Sequence, residues 1–276
     1  MSEKIKPVRL IIFGIMAVMA AGALYPLFLT AMVSLKLIQD FKINPAGWPS
    51  SFNFRNYIMV FQRASIPQAY RNSILITGFS MVIQVIFGTL AAYALTKMQF
   101  KRTRFFSTVF LAPMIFPITT IILPLYMFFR QIGLLNNFLG LIIIYGATGM
   151  PLAIFIFTSF MNTIPSQISE AAIIDGAGHF TIYSRLIIPL IRPAIATTIV
   201  VSSLGIWNDF FLPLLFITNR NLQTLPLKVF VFQTEYSNNW PSMCSLMIFM
   251  ILPLIIAYIF LQKYIISGVV AGSVKG

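Results

Sequence analysis

Between Arg9 and Lys36, between Arg71 and Lys97, and between Arg104 and Arg130 the sequence contains no charged residue at all. The enclosed runs, Leu10–Leu35, Asn72–Thr96 and Phe105–Phe129, each exceed the roughly 20 apolar residues a helix needs to cross the hydrocarbon of a bilayer. Backbone amides in lipid find partners only within a helix or a closed barrel. None of the runs alternates with the two-residue period of a barrel strand, so they are helices. Three further stretches complete the set: Phe138–Phe160, Pro193–Ile217 with Asp209 inside it, and Met243–Leu261. The expected fold is an all-α polytopic membrane protein with six transmembrane helices.

Composition closes off the alternatives. Of the 276 residues 58% are hydrophobic and 9% charged, where a soluble domain carries about 25% charged residues. With 27 Phe and 14 Met, a single soluble core cannot hide the apolar surface, and lipid must cover it. The net charge of +13 would suggest nucleic acid in a soluble chain. Here the basic groups stand at the ends of apolar runs, where they act as topology anchors, and no nucleic-acid partner is expected. Cys244 is the one cysteine and His179 the one histidine, which excludes disulfide scaffolds, zinc sites and Cys/His catalysis. No phosphate loop of the form G-x-x-x-x-G-K-[ST] occurs, so the chain has no nucleotide site of its own. No enzymatic activity, cofactor or metal is expected. An ion-coupled transporter working alone would need ionisable residues in its spans, and Asp209 is the only one.

Orientation follows from the short loops. Lys97, Lys101, Arg102 and Arg104 crowd the connection between spans two and three, whereas Arg130 alone follows span three. The first connection is therefore cytoplasmic. With six spans, both termini and the long loop Met161–Arg192 lie on that side too. Lys36, Lys42, Arg55, Arg63 and Arg71 fall in the first external loop and make the asymmetry less one-sided. Lys4, Lys6 and Arg9 before an apolar run, with Ala21-Gly22-Ala23, resemble a secretory leader, but the run continues through Leu27, Phe28 and Leu29 to Leu35, as a membrane span does.

The chain divides into residues 1–69, with the first span and an external loop; residues 70–264, a core of five spans containing loop 161–192; and a cytoplasmic tail, 265–276. In the first external loop, Phe54, Tyr57, Ile58 and Phe61 recur at helical spacing within Asn53–Gln62, an amphipathic segment expected to lie on the outer surface.

Loop 161–192 reads as a folded element. Pro165 and Ser166 open a short helix, with Ser166 as N-cap, and Gly176 supplies the left-handed residue that ends it. A second helix, His179–Ile188, runs to Pro189. Two helices about the turn Asp175-Gly176-Ala177-Gly178, with small Ala171 and Ala172, make a helix–turn–helix suited to docking. A helix lying on the membrane surface fits the same residues.

From Glu170 the loop matches E-A-A, three residues, G, nine residues, then I-x-L-P: Glu170-Ala171-Ala172, Gly176, and Leu186-Ile187-Ile188-Pro189, with Leu186 and Ile188 as conservative departures. In this it resembles ATP-binding-cassette importer permeases. Arg71-Asn72-Ser73, Trp207-Asn208-Asp209-Phe210 and the tail Ala271–Gly276 are similar to carbohydrate-uptake permeases of the maltose-transporter type, in particular the shorter six-span partner. The resemblance implies that Glu170–Ala177 is a coupling helix docking on an ATPase, with Glu170, Ala171, Ala172, Asp175, Gly176, Ala177 and Pro189 carrying the contact. It further implies a bacterial cytoplasmic (inner) membrane, a second permease, two copies of a cytoplasmic ATPase, and a periplasmic or lipoprotein sugar-binding protein. Glu170 is expected to pair with a basic group such as Arg185 or with the ATPase. A superfamily permease for a non-sugar solute would share the loop signature.

Two features stay open on the residues alone. Asp209 lies about 24 Å along its span from Pro193 at ~1.5 Å per residue, near the external interface, with Trp207 beside it as in an aromatic belt. Asp209 is either a polar cap or, with Trp207 and Asn208, part of a gate or sugar path. Pro113, Pro117, Pro124, Pro151, Pro213 and Pro253 are either tolerated, as membrane helices tolerate proline, or bend helices around a cavity.

Overall fold

The computed structural model describes residues 7–98, 101–233 and 239–273, with side chains described over 9–98, 101–233 and 239–259. The helices are α1 (Pro7–Ser34), α2 (Ile38–Ile43), α3 (Arg55–Arg63), α4 (Ile66–Lys97), α5 (Thr103–Leu111), α6 (Ile122–Gln131), α7 (Phe138–Met161), α8 (Ser166–Ile174), α9 (His179–Leu190), α10 (Arg192–Asn208), α11 (Phe211–Phe216) and α12 (Trp240–Ser273). The all-α expectation holds. Among the described residues four helices are long and apolar enough to cross a bilayer as they stand: α1 from Arg9, α4, α7 and α12 as far as Ile259. Two bent helix pairs bring the number to six.

The bends correct the expected third and fifth spans. Phe105–Phe129 is not one helix: α5 passes through a 3-10 turn, Ala112–Ile115, to extended Phe116 (φ −100°, ψ 127°) and Pro117 (φ −66°, ψ 137°). A second 3-10 turn, Ile118–Ile121, then leads into α6, and the two halves meet at 90°. Pro113 and Pro117 donate no N–H, and the residue before a proline is pushed out of the helical region. Pro151 and Pro253, by contrast, remain inside unbroken α7 and α12. The fifth span ends at Asn208 rather than Ile217, because Asp209 is extended (φ −70°, ψ 126°) and α11 restarts after it. At its other end, α10 meets α9 at 70° across Ile191, with Pro193 in its first turn.

The last helix runs unbroken from Trp240 to Ser273, so it continues through residue 265, and Ala271–Ser273 belong to it. Val274–Gly276, like the N-terminal residues 1–6, lie outside the described residues.

Two compact units make up the chain. The first comprises residues 1–67 and 228–253. In it α1 is exposed along its apolar length and buried only at Met32–Ser34. There a knot forms around Lys36, whose side chain is fully buried and whose Nζ donates to Asn44 O (2.5 Å) and Pro45 O (3.3 Å). Asn56 Nδ2 donates to Ser34 O and Lys36 O, both at 2.8 Å. The α3 helix therefore buries Asn56 and Val60, while Phe54, Ile58 and Phe61 are exposed. The amphipathic segment exists, and part of its aromatic face packs within its own unit: the Tyr57 and Phe61 rings meet Phe249, with centroids 5.9 and 6.3 Å apart, and Tyr57 Oη lies 2.7 Å from Ser34 Oγ.

The second unit comprises residues 68–227 and 254–276. Its α4 and α7 pack closely. A Cβ added to Gly149 would fall 2.1 Å from Gln84 Nε2, and that amide donates to Tyr145 O at 2.8 Å. One apolar cluster joins Ile76, Phe129, Ile144, Leu212 and Phe216. A second joins Tyr93, Phe157, Met161, Ile182, Ile187 and Ile191 beneath the loop that carries the candidate site.

Candidate functional site

The loop between α7 and α10 folds as a helix–turn–helix. Pro165 (φ −55°, ψ 137°) is the N-cap of α8 and its carbonyl accepts from Ile168 N at 3.3 Å. Ser166 is thus the first helical residue instead of the expected cap, and its hydroxyl makes no capping bond. The far end follows the sequence. Gly176 has φ +82°, Gly176 N donates to Ile173 O and Ala177 N to Ala172 O, both at 2.9 Å. These two bonds close a Schellman motif on Asp175, the C-cap. Only glycine adopts this backbone without strain, so the turn defines where α8 stops.

Ala172 and Ala177 pack against the second apolar cluster, which seats the turn on α4, α7 and α9. Glu170, Ala171, Asp175 and Gly176 are exposed. A small-residue helix with one face anchored and a carboxylate exposed presents a rigid, closely approachable surface. Glu170 lines a hollow of about 440 Å³ together with Lys97, Ser166, Ser169 and His179. Arg185, expected as its partner, is not among the residues lining it.

The second helix differs from its expected form. It does not stop at Pro189 but continues to Leu190, and residues Ile182–Ile187 form a π-turn, in which Ile188 N donates to Tyr183 O five residues back. A wide turn accommodates Pro189, whose ring and missing N–H would otherwise meet the carbonyl of Arg185. His179 and Tyr183 face α4: Tyr93 Oη lies 3.2 Å from His179 Nδ1, and Tyr183 Oη lies 2.8 Å from Thr89 Oγ1. Lys97 Nζ donates to Ile164 O at 2.8 Å, where the loop begins. Sequence reasoning identified none of Thr89, Tyr93, Lys97 or Tyr183. For the three on α4 a signal was available in their spacing, four residues apart at 89, 93 and 97.

The second group of candidates, Trp207, Asn208 and Asp209, sits where α10 ends. Trp207 is 7% exposed and stacks on Tyr70 (centroids 6.2 Å apart, 27° between planes), so it is an internal packing residue rather than part of an aromatic belt. Asn208 is exposed and turns back to Leu204 O (2.9 Å). Asp209 Oδ1 accepts from Phe211 N and Oδ2 from Tyr145 Oη, both at 2.8 Å. One carboxylate thus caps the restart of the broken helix and ties it to α7. At the same end of α4, Asn72 Nδ2 donates to Asn221 O (2.9 Å) and Gln223 O (3.0 Å), and Asn136 Oδ1 accepts from Thr218 N (2.6 Å), Thr218 Oγ1 (2.8 Å) and Asn219 N (3.0 Å). Segment 218–225 is consequently held along its length.

A family model described as binding-protein-dependent transport system inner membrane component matches residues 84–270. The melibiose/raffinose/stachyose import permease protein MelC of Bacillus subtilis (strain 168) is 34% identical over 94% of both chains. The probable starch degradation products transport system permease protein AmyC of Thermoanaerobacterium thermosulfurigenes is 31% identical over 91% of both. The arabinooligosaccharides transport system permease protein AraQ of Bacillus subtilis (strain 168) is 31% identical, over 92% of this chain and 91% of its own. Among solved structures, a chain from the crystal structure of a bacterial ABC transporter involved in the import of the acidic polysaccharide alginate superposes with a TM-score of 0.81 at 24% identity, covering 96% of this chain and 98% of that one. At that identity the likeness establishes the fold.

Proposed function

Because the chain belongs to the family of binding-protein-dependent transport system inner membrane components, we propose that it is a pore-forming permease subunit of an ATP-driven importer of a sugar or oligosaccharide. The relatives named above carry melibiose, raffinose and stachyose, starch degradation products, and arabinooligosaccharides, according to their names. The solute is of that glycosidic class. A second permease completes the pore, two copies of a cytoplasmic ATPase drive it, and an external binding protein delivers the sugar. Both termini and the loop between α7 and α10 face the cytoplasm of a bacterial inner membrane.

The observation that carries this reading is the Schellman-capped α8, seated by Ala172 and Ala177 and presenting Glu170, Ala171, Asp175 and Gly176 outward. Such a helix is the docking face for the ATPase, with Pro189 setting the wide turn behind it. Residues 70–264 form the transport core around it. At the other end of α4, Trp207, Asn208 and Asp209 form part of the gate or sugar path: the chain breaks there, and a break at membrane depth persists where it is buried in protein or lines a water-filled cavity.

The experiment is reconstitution. Purified alone and freed of co-purifying proteins, the subunit hydrolyses no ATP. With the second permease, the ATPase and the binding protein in liposomes, it supports sugar accumulation that requires ATP. ATP hydrolysis by the subunit alone, or accumulation driven by an ion gradient without the ATPase, overturns the reading.

A further inference from the structure

The second apolar cluster fixes how near the loop lies to the spans, but contacts among Ile182, Ile187, Phe157 and Met161 are non-directional and permit sliding. Direction comes from the polar groups at the end of α4. Thr89 and Tyr93 lie one turn apart on that helix, His179 and Tyr183 one turn apart on α9, and the pairs meet rung to rung, at 2.8 Å for Thr89–Tyr183 and 3.2 Å for Tyr93–His179. The Tyr93 and Tyr183 rings make an edge contact across the rungs, with centroids 5.5 Å apart at 65°. Tyr183 occupies the π-turn, where the helix is widened by Pro189 and bent by 70° at Ile191 just beyond it. The rigid pairing therefore sits beside a hinge.

Resting on the docking role assigned above to α8, we infer that the Thr89–Tyr183 and Tyr93–His179 pairs are a tether that passes movement of the docked loop to α4. These four are positioning residues, since each acts through the loop. When ATP binding shifts α8, α9 moves with it across the Gly176 turn. The two hydrogen bonds then carry the displacement into α4, whose other end holds segment 218–225 through Asn72 and Ser73. Without the hydroxyls the loop keeps its apolar seat and its docking face, and slips against α4 instead of driving it.

The test measures hydrogen exchange in nanodiscs holding this subunit, the second permease and the ATPase, with and without ATP plus vanadate. Two segments are compared: the loop, residues 166–190, and the end of α4, residues 86–97. In the unaltered complex both change their exchange with nucleotide. In Y183F, T89V and the pair combined, the loop response persists while the nucleotide-dependent response of the α4 end falls about fivefold, the shift expected from one neutral hydrogen bond. The double variant is no worse than either single one, because both remove the same bond. T89S keeps the hydroxyl and restores the response. Y93F repeats the loss at the second rung.

A purely structural role for these hydroxyls raises exchange at the α4 end equally with and without nucleotide, and that result overturns the tether. So does an α4 response unchanged in the double variant, or loss of the ATPase from the complex in Y183F. If the loop of the unaltered complex shows no response to ATPase and nucleotide at all, the docking role itself is wrong and the tether falls with it.

Discussion

Replacing Gly176 by valine separates the backbone of the docking loop from its surface chemistry. Gly176 sits at φ +82°, and a Cβ built on it meets nothing within 4 Å inside the chain. Space is therefore no obstacle, and the cost is conformational. An L residue in this region costs about 1–2 kcal/mol, and β-branching places valine at or above the upper end. The alternative is to let the turn open, which gives up the bonds from Gly176 N to Ile173 O and from Ala177 N to Ala172 O, each worth about 0.5–1.5 kcal/mol. Either route costs about 2 kcal/mol, roughly a 30-fold fall in the ratio of capped to frayed loop. Asparagine tolerates the left-handed region and alanine does so less well. ATPase co-purification and sugar uptake should consequently decline in the order Gly, Asn, Ala, Val, with expression and assembly with the second permease unchanged, and with Gln62→Ala as an exposed control elsewhere. Wild-type uptake in Gly176→Val with the ATPase bound normally would refute the docking assignment. A Gly176→Asn variant as impaired as Gly176→Val would refute the conformational argument, because the defect would then track the presence of a side chain at the docking surface instead of its backbone strain.

The remaining predictions concern the spans. Gly149→Ala drives a methyl into the Gln84 amide, with 2.1 Å to Nε2, and should lower thermal stability in detergent; Gln84→Ala in the same chain should recover most of the loss, since it empties that space. Full stability of Gly149→Ala would mean that the Gln84 amide moves aside without cost, and that its bond to Tyr145 O does not matter to the packing. Tyr145→Phe frees one oxygen of Asp209 while the other still caps Phe211 N, so uptake should change by several-fold with expression and ATPase binding intact, whereas Asp209→Ala loses both contacts and should be the more severe. Equal uptake in the wild type and both variants would remove this group from the gate. An impermeant thiol reagent should label a cysteine at Trp48 in intact cells and cysteines at Thr103 or Gly276 only after permeabilisation; labelling of Thr103 from outside reverses the topology.

What could be read in advance was what the chain does locally. Charge-free runs gave the spans, and Gly176, Asp175 and Pro165 gave the ends of α8 to within one residue, because caps and left-handed turns are decided by neighbours along the chain. The break at Phe116–Pro117 was written in the sequence as well, yet Pro151 and Pro253 carry the same local signal within unbroken helices. Whether a proline breaks a membrane helix depends on what takes up the orphaned backbone groups, which the proline itself does not specify. At the Asp209 break the Phe211 amide is taken up by Asp209 Oδ1, two residues back, but the carboxylate is itself held from afar. Its stability depends on Tyr145, 64 residues away, and no periodicity connects the two.

Hydrophobic periodicity fails here for a physical reason. In water the apolar stripe of a helix marks its buried face, but a helix whose every side is apolar offers no such contrast, and lipid covers one side as readily as protein covers the other. The informative pattern is the inverse one. Along α4 the polar residues Asn72, Ser73, Ser80, Gln84 and Thr89 are buried, spaced seven, four and five apart after the Asn72–Ser73 pair. Each makes a contact that orders another element: Asn72 and Ser73 hold segment 218–225, Ser80 and Gln84 bond to carbonyls of α7, and Thr89 meets α9. An amide facing hydrocarbon would be left without a partner at a cost of several kcal/mol, whereas a hydroxyl can bond back along its own helix, as exposed Ser159 does to Phe155 O at 2.7 Å. On α4 it is the buried amides Asn72 and Gln84 that mark the protein-facing stripe, with Ser73, Ser80 and Thr89 along the same side. On α4 that stripe runs from segment 218–225 at one end to the docking loop at the other, which makes this helix the continuous element between them.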